Sequence, residues 1–163
     1  MKKLLALVPL TLAAMLLVVP IASSGNGGDF AVGAFERAST PTNGGHTGFS
    51  AQSGPNGQSP SGYLSSTFDS SPASPAPGRI ERYNVVCLAV SGSDAAIGLV
   101  PTGSPSTNAG APRVLAVHDG GLPNGGGDLY TFYTDTAPSD CASRVGEALF
   151  TPLTGNIVVN DAP

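Results

Sequence analysis

Apolar and polar positions alternate with a period of two over several short stretches of the chain, and Gly, Pro, Asn and Ser cluster between them. That pattern predicts β-strands joined by tight turns. The first strand runs from Asp29 to Arg37, with Phe30, Val32 and Ala34 on one face and Ala31, Phe35 and Arg37 on the other. The second spans His46 to Ser53 and aligns Phe49 with Ala51. A tight loop, Gly54 to Pro60, follows, because proline fixes φ and Asn56-Gly57 tolerates positive φ. The third strand, Gly62 to Phe68, sets Leu64, Ser66 and Phe68 against Tyr63, Ser65 and Thr67.

The organising stretch is Gly78 to Val100. Its centre, Val85 to Val90, is the longest unbroken apolar run outside the N-terminus, and its β-branched residues predict a strand buried on both faces. Strict alternation puts Ile80, Arg82, Asn84, Val86, Leu88 and Val90 on one face, with Glu81, Tyr83, Val85, Cys87 and Ala89 on the other. Ser91 to Asp94 forms a turn, and Ala95 to Val100 returns as the second strand of a hairpin. A sixth strand covers Arg113 to Asp119 and a seventh Asp128 to Asp135. Ala137 to Cys141 turns, and Ala142 to Phe150 forms a helical turn or a further strand. The eighth strand is Gly155 to Asn160. Asp69 to Pro77 and Pro101 to Pro112 are Ser/Pro-rich connections that cannot supply ladder donors. No helical periodicity follows the leader, so about eight short strands predict an all-β antiparallel barrel or sandwich, with a small barrel preferred.

Met1 to Ser24 has the form of a secretory signal peptide. Lys2 and Lys3 precede an apolar Leu4–Val19 segment, and Ala22-Ser23-Ser24 supplies the small residues before cleavage. Residues 25–163 are then the mature, secreted domain. This part has no lysine; five arginines stand against eleven acids, a formal charge of −6. Such a balance argues against nucleic acid and against anionic membrane surfaces as partners. In an exported chain the two cysteines pair, so a Cys87–Cys141 disulfide is expected. A redox or metal role is disfavoured, because no CxxC spacing occurs and no histidine is near either cysteine in sequence.

The candidate chemistry is sparse. In the loop Asp119 to Asp128 two carboxylates and the Asn124 amide flank flexible glycines, the set of oxygen donors that calcium takes. The alternation of an EF-hand and the stacked repeats of a glycine-rich calcium motif are both missing, so the favoured reading is a hairpin loop with Asp at each end. His118-Asp119 invites a hydrolase reading, but a nucleophile would have to be brought beside His118 by the fold, and no Gly-x-Ser-x-Gly elbow is present. His46 is the other histidine. Glu36, Glu81 and Glu147 are the glycosidase-type acids, in a chain without tryptophan. Tyr63, Tyr83, Tyr130 and Tyr133 are candidates to line a ligand cavity, with Tyr130 and Tyr133 on opposite faces.

Four segments together resemble a group of small exported bacterial proteins, mostly of actinobacterial type and without an assigned activity. These are Phe49 to Gly57, Cys87 to Gly92, the single Cys141, and the C-terminal Gly155-Asn156-Ile157-Val158-Val159-Asn160-Asp161-Ala162. The resemblance implies an all-β exported domain with paired cysteines and carries over no catalytic residue. The expectation is therefore a secreted, non-enzymatic β-domain with no cofactor and no catalytic set. It would act by binding a small ligand, a glycan or a protein, or as a structural extracellular module. The alternatives are a hydrolase on His118 and Asp119, or a module stabilised by calcium at Asp119 and Asp128.

Overall fold

A computed structural model of the chain describes residues 27–37, 44–68, 78–103, 110–122 and 126–163. The signal peptide expected at 1–24, the Ser/Pro segment 69–77 and Asn124 lie outside the described residues. Eight antiparallel strands form one curled half-barrel sheet. They are β1 (Phe30–Arg37), β2 (Gly45–Gln52), β3 (Ser61–Phe68), β4 (Ile80–Ser91), β5 (Asp94–Pro101), β6 (Arg113–His118), β7 (Leu129–Tyr133) and β8 (Thr154–Asn160). Each of β1 to β7 pairs with the next in sequence, and β8 returns to pair with the outer edge of β1. The all-β class and the strand count agree with the alternation in the sequence.

The concave side holds the core. Ala31 and Phe35 from β1, Phe49 from β2, Leu64 from β3, Tyr83 and Leu88 from β4, Ile97 and Leu99 from β5, Leu115 from β6, Tyr130 from β7 and Ile157 from β8 form one buried cluster. Phe35 and Tyr130 lie 4.5 Å apart between ring centroids, although β1 and β7 are far apart in the strand order. The sheet therefore curls until its two ends share side chains.

The hairpin β4–β5 turns on Gly92-Ser93. Gly92 takes φ 61° while Ser93 stays negative, the φ pattern of a type II′ turn, which suits the right-handed twist of paired strands. Along β4 the strict alternation fails. The pairing with β5 shifts register between Val85 and Cys87, so a bulge turns the strand over. Glu81, Tyr83 and Val85 face inward before the bulge; Leu88 is the next buried residue after it, and Val86 is left 43% exposed. The strands buried on both faces are instead β5, from Ala95 to Leu99, and β6, from Val114 to Val117.

A strap covers their outer face. Pro138–Arg144 is a 3-10 segment, and Cys141 within it is fully buried and bonded to Cys87. Ala96, Val114 and Cys141 form a second core cluster, with Ala89, Tyr133 and Val145 packed on it. Gly98 explains how the strap comes so close: a Cβ there would overlap the Pro138 carbonyl. Arg144 bridges to Asp135 and Glu147, and the Tyr133 hydroxyl donates to the Glu147 carbonyl at 2.6 Å. The stretch expected to turn over Ala137–Cys141 and to form a helical turn or strand to Phe150 is thus a pair of short 3-10 turns joined by a kink at Asp140, followed by irregular chain. Only Phe150 makes a bridge, to Tyr130 at the free edge of β7.

Candidate functional site

The loop between β6 and β7 has a structural task. Asp128 is fully buried, and its Oδ1 accepts the Gly120 N–H at 2.9 Å while its Oδ2 accepts the Ile157 N–H at 2.6 Å. Asp119 does the same with the Gly121 N–H at 2.7 Å and the Val159 N–H at 3.1 Å. Ile157 and Val159 lie on β8, whose other edge carries the ladder to β1. The two carboxylates therefore cap alternate donors of an exposed strand edge and close the half-barrel by side chains. Asp161 adds a third contact, accepting the Gly92 N–H at 2.7 Å, and Asp29 accepts the Ala162 N–H at 3.0 Å.

All four carboxylate oxygens of the calcium candidates Asp119 and Asp128 are thus directed at main-chain donors, and among the described residues no group of three or more His, Cys, Asp or Glu is placed to hold a metal. Asp128→Ala strips one buried and one part-buried donor of a charged acceptor. The expected loss is about 2–3 kcal/mol, read as a lower thermal midpoint. That deficit should be the same in excess calcium and in excess chelator, and the parent midpoint should not move between the two. A midpoint that rises with calcium in the parent but not in the variant would assign the loop to the metal instead.

His118 ends β6. Its Nδ1 lies 2.9 Å from Asp94 Oδ1, at the start of β5. The carboxylate beside the imidazole is therefore Asp94, not Asp119, whose oxygens belong to the seam. The neighbouring Ser93 contributes its main-chain carbonyl, which accepts the Asp119 N–H at 2.9 Å. The glycosidase-type acids are not brought together. Glu36 is on the convex face, where Thr154 Oγ1 donates to it at 3.2 Å; Glu81 is on the concave face; Glu147 sits in the strap.

Glu81 instead anchors an ionic plug at the end of the half-barrel opposite the seam. Its carboxylate, 3% exposed, accepts the Tyr83 hydroxyl at 2.6 Å and pairs with Arg79 at 2.6 Å and Arg113 at 3.4 Å. Arg113 also lies over the Tyr83 ring at 5.1 Å and the Phe132 ring at 5.7 Å, and Arg37 lies over Phe68 at 4.7 Å. Burial first, then the hydrogen bond to Glu81, holds the Tyr83 hydroxyl well above its ordinary ionisation range. Gly110 seals the plug, since a Cβ there would overlap the Tyr83 hydroxyl.

Of the four tyrosines, Tyr83 and Tyr130 are in the core and Tyr133 lies under the strap, beneath Arg144 at 4.3 Å. Tyr63 alone is open, 61% exposed on the convex face. That face is ordered by strand register. One row runs Thr154, Glu36, His46, Thr67; the next runs Ala34, Gly48, Ser65, Arg82; the third runs Val32, Ser50, Tyr63, Asn84. The middle row has no bulk at Ala34 and Gly48. A trough of about 370 Å³ opens there, walled by Glu36, His46, Ser65, Thr67 and Thr154. Sequence reasoning placed Tyr63, Ser65 and Thr67 on one face of the third strand. It missed the trough because the trough is made by register between four strands. Its one local signal was Gly48 in mid-strand.

No protein-family model, no curated protein and no solved structure matches the chain.

Proposed function

We propose that the chain is an exported, non-enzymatic β-domain that acts by binding outside the cell, with recognition on the convex face of the sheet. The observation that carries this reading is the packing of the concave side. Phe35, Phe49, Leu64, Tyr83, Leu115 and Tyr130 fill the space in which a barrel would hold a small apolar ligand, each less than a tenth exposed. The open, polar-walled depression is on the other face. Export is supported by the leader pattern in the sequence and by the disulfide, a bond kept in oxidising compartments.

The hydrolase reading keeps one favourable observation, the carboxylate on His118 Nδ1, which is how a base is oriented in a catalytic triad. The seam carboxylates favour the binding reading over calcium, because their oxygens already serve as edge caps.

The test is to express the full chain with its own leader and recover it from the medium. N-terminal sequencing is expected to start near Gly25, and native mass spectrometry is expected to show a bound species on part of the material. Retention inside the cell with Met1 intact, or turnover of model ester and peptide substrates that His118→Ala abolishes, would replace the reading.

A further inference from the structure

Gly48 stands apart from the other glycines within the strands. Gly33, Gly45, Gly62, Gly98 and Gly155 are each required by the fold: an added Cβ would strike Phe49, Thr67, Ser50, Pro138 or Ala34 respectively. Three of them, Gly45, Gly62 and Gly155, also take positive φ. At Gly48 a Cβ would meet nothing within 4 Å, and its φ is not positive. A glycine inside a strand weakens it by lost packing and added chain entropy, and one the fold does not require marks a place where something else approaches the backbone. Gly48 is at the floor of the convex trough.

We infer that this trough is a binding subsite for a neutral carbohydrate, an inference that rests on the binding reading above and names its ligand class. The chemistry of the walls is that of a sugar. Glu36 offers carboxylate acceptors, His46 offers ring nitrogens, and Ser65, Thr67 and Thr154 offer hydroxyls that both give and accept. The lining holds the Glu36 carboxylate and no arginine, and the whole mature chain is acidic, so the trough has no field to draw in a polyanion. The floor at Ala34 and Gly48 is backbone and methyl, suited to the apolar face of a ring. Same-face neighbours on adjacent strands are about 4.8 Å apart and along a strand about 6.8 Å apart, so the gap left by two small residues admits a sugar ring. One row further along, Tyr63 presents its ring between Ser50 and Asn84. An exposed aromatic flanked by an amide and a hydroxyl is a stacking platform for the next residue of a chain. A protein partner would call for aromatic or large apolar side chains at the centre of the patch; the floor at Ala34 and Gly48 has none.

The test is affinity electrophoresis of the disulfide-bonded mature protein in native gels containing neutral polysaccharides (hydroxyethylcellulose, glucomannan, yeast mannan, arabinoxylan) and, separately, polygalacturonate. Retardation in at least one neutral gel is expected, and none in polygalacturonate. Gly48→Gln fills the trough and Tyr63→Ala removes the platform, and each is expected to weaken the retardation roughly tenfold. Ala142→Gln, on the exposed side of the strap, should leave it unchanged. Thermal midpoints of all variants are measured alongside, and Tyr63→Ala stands in if Gly48→Gln melts early. No retardation in any neutral gel overturns the inference, as does retardation that both variants leave intact, or retardation confined to polygalacturonate. A protein recovered on this face and lost with Gly48→Gln would also overturn it, while leaving the binding reading in place.

Discussion

Replacing Cys87 and Cys141 together by alanine is expected to lower stability by about 4 kcal/mol, because the bond closes a long loop in the unfolded chain. The two cysteines are 54 residues apart, and the loop between them contains β5, β6 and β7. For a domain of this size the loss corresponds to a fall of about 12 °C in melting midpoint at about 3 °C per kcal/mol. Circular dichroism melts of the parent and the double variant at one pH measure it. A fall below about 3 °C would show that the bond adds little beyond packing. The effect should appear in the melt rather than in the native fold. The strap has other holds on the sheet: the Tyr133 hydroxyl on the Glu147 carbonyl, the Leu149 N–H on Thr131 Oγ1, and the Arg144 ion pairs. Hydrogen exchange at low temperature is therefore expected to find β5 still protected under the strap in the double variant.

The strands were legible in the sequence where one face is apolar and the other polar. In β1, β2 and β3 the alternation grouped Phe35 with Ala31, Phe49 with Ala51 and Leu64 with Ser66, and each of these pairs is buried together; which face is the core it left open. It failed where both faces are apolar. From Val85 to Ala89 a binary pattern holds no information about which face is which, so a bulge that brings Leu88 rather than Cys87 to the core leaves no trace in it. The disulfide was legible because two cysteines in one chain leave a single pairing. The roles of Asp119 and Asp128 were not, because the donors they cap lie 40 and 29 residues away on β8. Two acids around glycines look alike whether they face a cation or a row of N–H groups. Only the placement of the strand edge separates the cases. The convex trough was the least legible, because it consists of residues that are absent: it depends on Ala34 and Gly48 being opposite one another across β1 and β2.

Glu81 is expected to be the most sensitive single position. Glu81→Gln keeps the shape and removes the charge, and a loss of about 3 kcal/mol follows, because Arg79, Arg113 and the Tyr83 hydroxyl all converge on that carboxylate. Glu81→Ala adds a cavity and should cost about 4 kcal/mol. Neither figure is the net worth of the plug, since most of it is the cost of leaving guanidinium groups partly buried beside no anion. That distinction can be measured by a cycle with Arg113. Arg113 is only 15% exposed and contributes packing over Tyr83 and Phe132 as well as charge. Arg113→Met should therefore destabilise the parent by about 2 kcal/mol but the Glu81→Gln protein by less than half of that, because the charge no longer has its counterpart. Denaturant melts of the parent, both single variants and the double variant give the four corners. Equal costs in both backgrounds would mean that the ion pair is incidental and the plug is held by its rings. The raised ionisation of Tyr83 sets the other limit on this end of the fold. Its hydroxyl keeps its proton in the folded state beyond 10.0, where an exposed tyrosine releases it, so stability contributed here is present below that pH and falls as pH rises above it. Glu81→Gln removes the carboxylate's charge but not the burial that is the larger cause, so the alkaline loss should persist in that variant.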